Sequence, residues 1–144
     1  MSQPDCTFCR IVRHDLPAAV LYEDADVVAL LDRYPATPGH MLVLPKAHIE
    51  DIFTLSSDLG SNIMRVAIAL AHAMRRQLSP AGVNLIQANG VAAGQTIPHF
   101  HLHLVPRNPD DSVTLQFGHG GQPADSGDLE RLAALIRSGL PLRM

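Results

Sequence analysis

Short runs that suit strands lie on both sides of one long helical pattern. Ala19–Glu23 and Val27–Leu31 are β-prone and flank the acidic turn Asp24-Ala25-Asp26, which predicts a hairpin. Asp32–Gly39, with Pro35, Pro38 and Gly39, reads as a loop, and Met41–Leu44 as an apolar strand stopped by Pro45. Beyond Ser56 or Ser57 as N-cap, Leu59, Ile63, Val66, Leu70 and Met74 recur at three- and four-residue steps. They predict a helix to about Leu78, with Arg75 and Arg76 at its C-terminal end and Pro80 and Gly82 terminating it. Val83–Gln87 reads as a strand, Ala88–Pro98 as a loop and His99–Val105 as a strand closed by Pro106. Thr7–Arg13 reads as a short helical turn. Asp125 or Ser126 is positioned to cap a last helix to about Arg137, carrying Leu129, Leu132, Leu135 and Ile136. Arg107–Gly121 reads as irregular and mobile. This order predicts an α+β domain: an antiparallel sheet of about five strands with helices on one face, one of them long and one C-terminal. No repeat or linker interrupts it, so residues 1–144 are expected to form one domain, with an N-terminal segment 1–15 and a C-terminal extension 107–144.

Composition narrows the function classes. The 144 residues are 47% hydrophobic and 17% charged with a net charge of −3, which does not favour a polybasic nucleic-acid or membrane-surface protein. The longest apolar run, Val66–Ala71, is too short to span a bilayer. The opening Met-Ser-Gln-Pro-Asp has no basic or apolar signal region, so a cytoplasmic setting is expected. The two cysteines, Cys6 and Cys9, cannot make a disulfide framework. Their C-x-x-C spacing suits a metal half-site, a redox pair or two buried thiols.

Three of the eight histidines fall in His99-Phe100-His101-Leu102-His103. On a strand the three imidazoles share one face, with Cα atoms about 6.5–7 Å apart, while Phe100, Leu102 and Leu104 share the other. Neighbouring imidazoles resist being protonated together. The row therefore supplies a neutral nucleophile beside a donor, which phosphoryl chemistry needs. H-x-H on a strand is also a zinc pattern, which leaves a metal centre as the rival reading. The preceding loop, Asn89 to Thr96, carries Gly90 and Gly94 plus amide and hydroxyl donors, and is a candidate phosphate cradle with free N–H groups. His14, His72 and His119 receive no role, the apolar stripe of the long helix is core, and Lys46 and Arg107 read as solvated charges able to steer phosphates.

Gly94-Gln95-Thr96-Ile97-Pro98-His99-Phe100-His101-Leu102-His103-Leu104 resembles the signature of the histidine triad (HIT) family. So does Leu31-Asp32 followed by Pro38-Gly39-His40-Met41-Leu42-Val43-Leu44-Pro45-Lys46-Ala47-His48. The resemblance runs over roughly Cys6–Arg107 and is most similar to the bacterial Hint/Fhit-like nucleotide hydrolase branch. His103, often Gln in the uridylyltransferase branch, disfavours that branch. The resemblance implies a purine-nucleotide hydrolase or transferase, often a homodimer whose two sheets join. In it His101 attacks the α-phosphorus, His103 contacts the phosphate oxygens and His99 orients its neighbours. Thr96 sits near the phosphate and leaving group, with Asn89, Gly94 and Gln95 beside the nucleotide. Asp32 accepts from the ribose hydroxyls and His40 supports the triad. Ala88 departs from the usual Asn or Gln, so one nucleotide hydrogen bond is missing or re-routed through Asn89.

Bacterial members resembling this chain also carry a zinc site, matched here by Cys6, Cys9, His48 and His99, which would pin the N-terminus without being required for the chemistry. Nucleoside phosphoramidates, acyl or aminoacyl adenylates and dinucleoside polyphosphates share the α-phosphate at issue. Two other functions fit the same residues: a nucleotide-binding module with little turnover, and a zinc-dependent hydrolase centred on the triad. Neither a nucleic acid nor a membrane is expected as partner.

Overall fold

The computed structural model describes residue 3, residues 5–115 and residues 121–141. Two compact units, Met1–Val113 and Thr114–Met144, make up the chain. The first holds a five-stranded antiparallel sheet of β1 (Val20–Glu23), β2 (Val27–Leu31), β3 (Met41–Pro45), β4 (Gly82–Ile86) and β5 (Leu102–Arg107). Their order across the sheet is β1-β2-β3-β5-β4. The hairpin turn forms as expected: Asp24 Oδ1 accepts from the N–H groups of Asp26 and Val27, at 2.9 and 2.8 Å.

Because side chains alternate along a strand, the sheet feeds two separate cores. Val27, Ala29, Met41, Val43, Leu102 and Leu104 pack with Ile63, Val66, Ala67 and Met74 of helix α2 (Ser57–Leu78). Val28, Leu30, Leu42 and Leu44 pack instead with Cys6, Phe8 and Cys9 from the first turns of helix α1 (Thr7–Val12). The expectation of helices on one face is thereby corrected: α2 covers one face and α1 part of the other. Both faces being covered explains why β2 is buried from Val27 to Leu30 without alternation. Helix α2 starts where Ser56 accepts from Leu59 N–H and ends on Ser79, in left-handed backbone at φ 48°.

The expected strand from His99 is also corrected. Ladder pairing begins only at Leu102, because Phe100 N–H goes to the Ile49 carbonyl at 2.6 Å and His99 N–H to Ile97 at 2.8 Å. The segment after β5 is more ordered than expected as far as Val113. Arg107 grips both Asp111 carboxylate oxygens and the Val113 carbonyl. Residues 116–120 of that stretch, His119 included, lie outside the described residues. In the second unit helix α3 (Ser126–Ser138) starts on Asp125, whose carboxylate accepts from Asp128 N–H. None of its residues is buried.

Candidate active site and metal cluster

The three histidines enter the α1 side of the sheet even though only His103 lies in the ladder. Alternation of faces continues from β5 back through residues 101–99, with Phe100 on the α2 side. The rings of His101 and His103 stand 4.8 Å apart, centre to centre. Phe8 sets its ring edge-on against both His99 and His101, at 5.6 and 5.0 Å.

The hydrogen bonds fix every proton on this row, because a carbonyl can only accept and a backbone N–H can only donate. His99 Nε2 lies 2.8 Å from the Pro45 carbonyl and must carry the proton, leaving its Nδ1 lone pair free. His101 Nδ1 lies 2.7 Å from the His99 carbonyl and donates, leaving the Nε2 lone pair free. Ala36 N–H donates to His40 Nδ1 at 3.0 Å, so His40 Nε2 carries the proton and donates a 2.8 Å hydrogen bond to His103 Nδ1. His103 Nε2 is then an N–H donor. A lone pair and a donor thus stand on adjacent rings.

Both free nitrogens meet solvent. His101 is only 7% exposed, but among the described residues no buried side-chain nitrogen or oxygen lacks a partner. Burial keeps the rings neutral: it lowers the His101 and His40 pKa values, and it brings His103 down to about 4, helped by the neighbouring His101 and His40. Asp32 lies beside this row, with Oδ2 3.6 Å from His40 Nε2 and Oδ1 accepting from Tyr34 N–H at 2.8 Å.

The loop before the triad behaves differently from the expected cradle. Gly90 and Gly94 do adopt left-handed backbone, φ 82° and 87°, with open space where a side chain would stand. Yet the N–H groups of Gly90, Ala93, Gly94 and Gln95 are spent inside the loop. Gln95 bridges Gly90 N–H and the Glu50 carbonyl, both at 2.7 Å. Asn89 accepts from Ile52 N–H at 2.7 Å and exchanges amide bonds with Gln87. Thr96 is exposed, with its hydroxyl available. Lys46 pairs with Glu23 and Arg107 with Asp111, so neither is the free charge expected.

Cys6, Cys9, His48 and His99 form a second cluster, their ligand atoms all within 4.8 Å of one another. His99 Nδ1 is 3.5 Å from Cys6 Sγ and 3.7 Å from Cys9 Sγ, and His48 Nδ1 is 3.4 Å from Cys9 Sγ. Two soft sulfurs and two imidazoles suit a tetrahedral zinc-type ion, and the proton on His99 Nε2 leaves the correct nitrogen free. Asp32, His40 and His103 also lie close together. There the proton on His40 Nε2 makes the set a hydrogen-bond relay instead of a ligand set. Among the described residues, no group of metal-ligating side chains includes His101.

Three contributors escaped the sequence reading: Phe8, the Pro45 carbonyl and the Ala36 N–H. Only Phe8 left a signal, since it lies between the two cysteines and travels with them to His99. Two surface clefts lie elsewhere. One of about 540 Å³ is lined by Ala67, Ile68, Ala71 and Leu85 among others, and one of about 370 Å³ by Thr37, Leu78 and Pro106; no triad residue lines either. No described helix is long and apolar enough to cross a membrane.

A family model described as HIT domain matches residues 13–110. Adenosine 5'-monophosphoramidase hnt1 of Schizosaccharomyces pombe is 32% identical over 133 residues, 92% of this chain and 96% of its own length. Among solved structures, a HIT family protein from Bacillus anthracis superposes with a TM-score of 0.90 at 35% identity, over 97% of this chain and 100% of its own. A zinc-bound histidine triad family protein from Mycobacterium smegmatis superposes at 0.72 and 36% identity, over 94% and 98%.

Proposed function

Because the chain belongs to the HIT-domain family, we propose that it cleaves purine nucleotide derivatives at the α-phosphate through a nucleotide bound covalently to His101. The observation that carries this reading is the proton placement: a free lone pair on His101 Nε2 next to an N–H on His103 Nε2. The first opens the attack on phosphorus and the second holds a phosphate oxygen as negative charge builds there.

In the first step His101 Nε2 forms a bond to the α-phosphorus while the bond to the leaving group breaks. The leaving group departs with the electron pair and takes a proton that comes from solvent and passes through the exposed hydroxyl of Thr96. The His101 ring turns cationic, and its Nδ1–H bond to the His99 carbonyl strengthens with that charge. Water then attacks the phosphorus and gives up a proton to solvent, the bond to Nε2 breaks with its electron pair returning to the neutral His101 ring, and the nucleoside monophosphate leaves. Asp32 Oδ2 is offered to the ribose hydroxyls. Asn89, Gly94 and Gln95 act by shaping the loop beside the phosphate, since the two amides are already engaged.

The phosphoramidase name of the S. pombe relative favours a nucleoside phosphoramidate among the candidate substrates, within the Hint/Fhit-like branch. The chain acts as one HIT-type domain in the cytoplasm. Zinc is the ion proposed for Cys6, Cys9, His48 and His99, in keeping with their donor chemistry and with the zinc-bound M. smegmatis relative; bound there, it supplies cross-linking of α1 to the sheet. A homodimer with joined sheets fits the edge position of β4, the exposed Leu85 on it and the exposed Ile68 of α2.

The test is to mix the protein with adenosine 5'-phosphoramidate, quench in alkali and map the adduct. The expected result is a nucleotidyl group on the peptide containing His101, with H101A binding nucleotide but neither forming adduct nor turning over. Turnover by H101A near the wild-type rate would refute the assignment.

A further inference from the structure

We infer that the Cys6–Cys9–His48–His99 cluster is a positioning device for the His101 imidazole: an ion bound there locks the one peptide plane that holds the His101 proton. The inference rests on the proposed role of His101 as nucleophile.

The His99–Phe100 peptide carries two hydrogen bonds. Its carbonyl accepts from His101 Nδ1 at 2.7 Å, and its N–H donates to the Ile49 carbonyl at 2.6 Å. The plane lies outside the sheet ladder, which starts at Leu102. Its orientation is therefore set by what holds its two sides. On one side stands His99, anchored through Nε2 to Pro45 and through Nδ1 at the two sulfurs. On the other stands Ile49, the residue after His48. Two of the four candidate ligands thus flank this plane, one by its own side chain and one through its neighbour's carbonyl. Joining His48 to His99 through an ion fixes both flanks at once. The other two ligands bring Phe8, whose ring presses edge-on against His99 and His101.

Without the ion, His48 and His99 lose their shared link, and the plane is held by the Pro45 and Ile49 hydrogen bonds and by ring packing. With its two flanks no longer fixed to each other, the His99 carbonyl turns from His101 in a fraction of chains, and there the His101 proton redistributes between its two nitrogens. Every molecule with the proton on Nε2 has lost the lone pair that attacks. The cluster thus does more than pin the N-terminus, because its occupancy sets the fraction of chains with a competent nucleophile.

The experiment follows the ring nitrogens of His101 by NMR in protein labelled with ¹⁵N-histidine, as zinc is removed by chelation and restored. Zinc-loaded protein is expected to show His101 as the pure Nδ1–H form. Stripped protein should show a mixture of the two forms, while methyl signals of the α2-side core stay in place. Zinc add-back should restore the first state, and C6S should need more zinc to reach it. A His101 ring that keeps its Nδ1–H form in stripped protein would overturn the inference. So would failure to bind zinc, or a stripped chain that unfolds as a whole, since the ion would then support the domain and not one peptide. The readout involves no turnover, so failure of the nucleotidyl-transfer reading in the adduct experiment leaves a distinguishable record.

Discussion

Replacing His40 tests the hydrogen-bond relay at the ring that backs His103. Its ring is 6% exposed, accepts from Ala36 N–H at 3.0 Å and donates to His103 Nδ1 at 2.8 Å. H40A removes the donor that obliges His103 to keep its own proton on Nε2. Leaving His103 Nδ1 without its partner costs about 1–3 kcal/mol of stability. The larger effect falls on the chemistry. A His103 free to move its proton to Nδ1 presents a lone pair to the phosphate oxygen where a donor is needed, and loss of one such donor costs about 10²–10³ in kcat. A Gln at position 40 offers an amide oxygen to Ala36 and an amide N–H to His103, so H40Q is expected to recover at least about tenfold of that loss. The assay is kcat and KM on adenosine 5'-phosphoramidate with thermal unfolding of each variant alongside. A folded H40A with kcat within about threefold of wild type would refute the relay.

Acid should weaken the fold through the same histidines. His103 takes its proton only near pH 4 in the folded chain, against about 6.5 when unfolded, and His40 is shifted the same way. Between those values the unfolded state holds more protons, so stability is full above pH 6.5 and falls as pH drops towards 4. Urea midpoints at pH 7.5 and pH 5 check this, and an unchanged midpoint contradicts it. At the end of α2, S79G relieves left-handed backbone at φ 48° and should add about 0.5–1 kcal/mol, seen as a higher Tm. G39A should do the opposite, by about 1–2 kcal/mol: the residue sits at φ 89° and an added Cβ would come 2.5 Å from Leu78 Cδ1. A neutral or stabilising G39A would show that this turn relaxes freely.

Local signals proved readable where the structure they encode is itself local. Ser56, the apolar stripe from Ile63 to Met74 and the stop beyond Leu78 place α2 nearly residue for residue, since capping and the 3.6 period act within a few turns. The hairpin around Asp24 was legible for the same reason, and alternation indicated the common face of the triad although the ladder reaches only His103. What escaped depends on partners distant in sequence. His99 looked like strand because nothing nearby reveals that Phe100 N–H is taken by Ile49. Asn89 and Gln95 looked like ligand groups because their partners, Ile52 and Glu50, come from another loop. The Ala36 N–H and the Pro45 carbonyl, which set two of the proton positions, are backbone groups and carry no residue signature at all.

The covalent step makes one prediction about geometry at phosphorus that no binding argument can mimic. Two successive in-line displacements, by His101 and then by water, invert the centre twice. Hydrolysis of an adenosine phosphoramidothioate of one known configuration in ¹⁸O-water should therefore give product with net retention at the α-phosphorus. Net inversion would mean that water attacks directly, and His101 would lose its role as nucleophile.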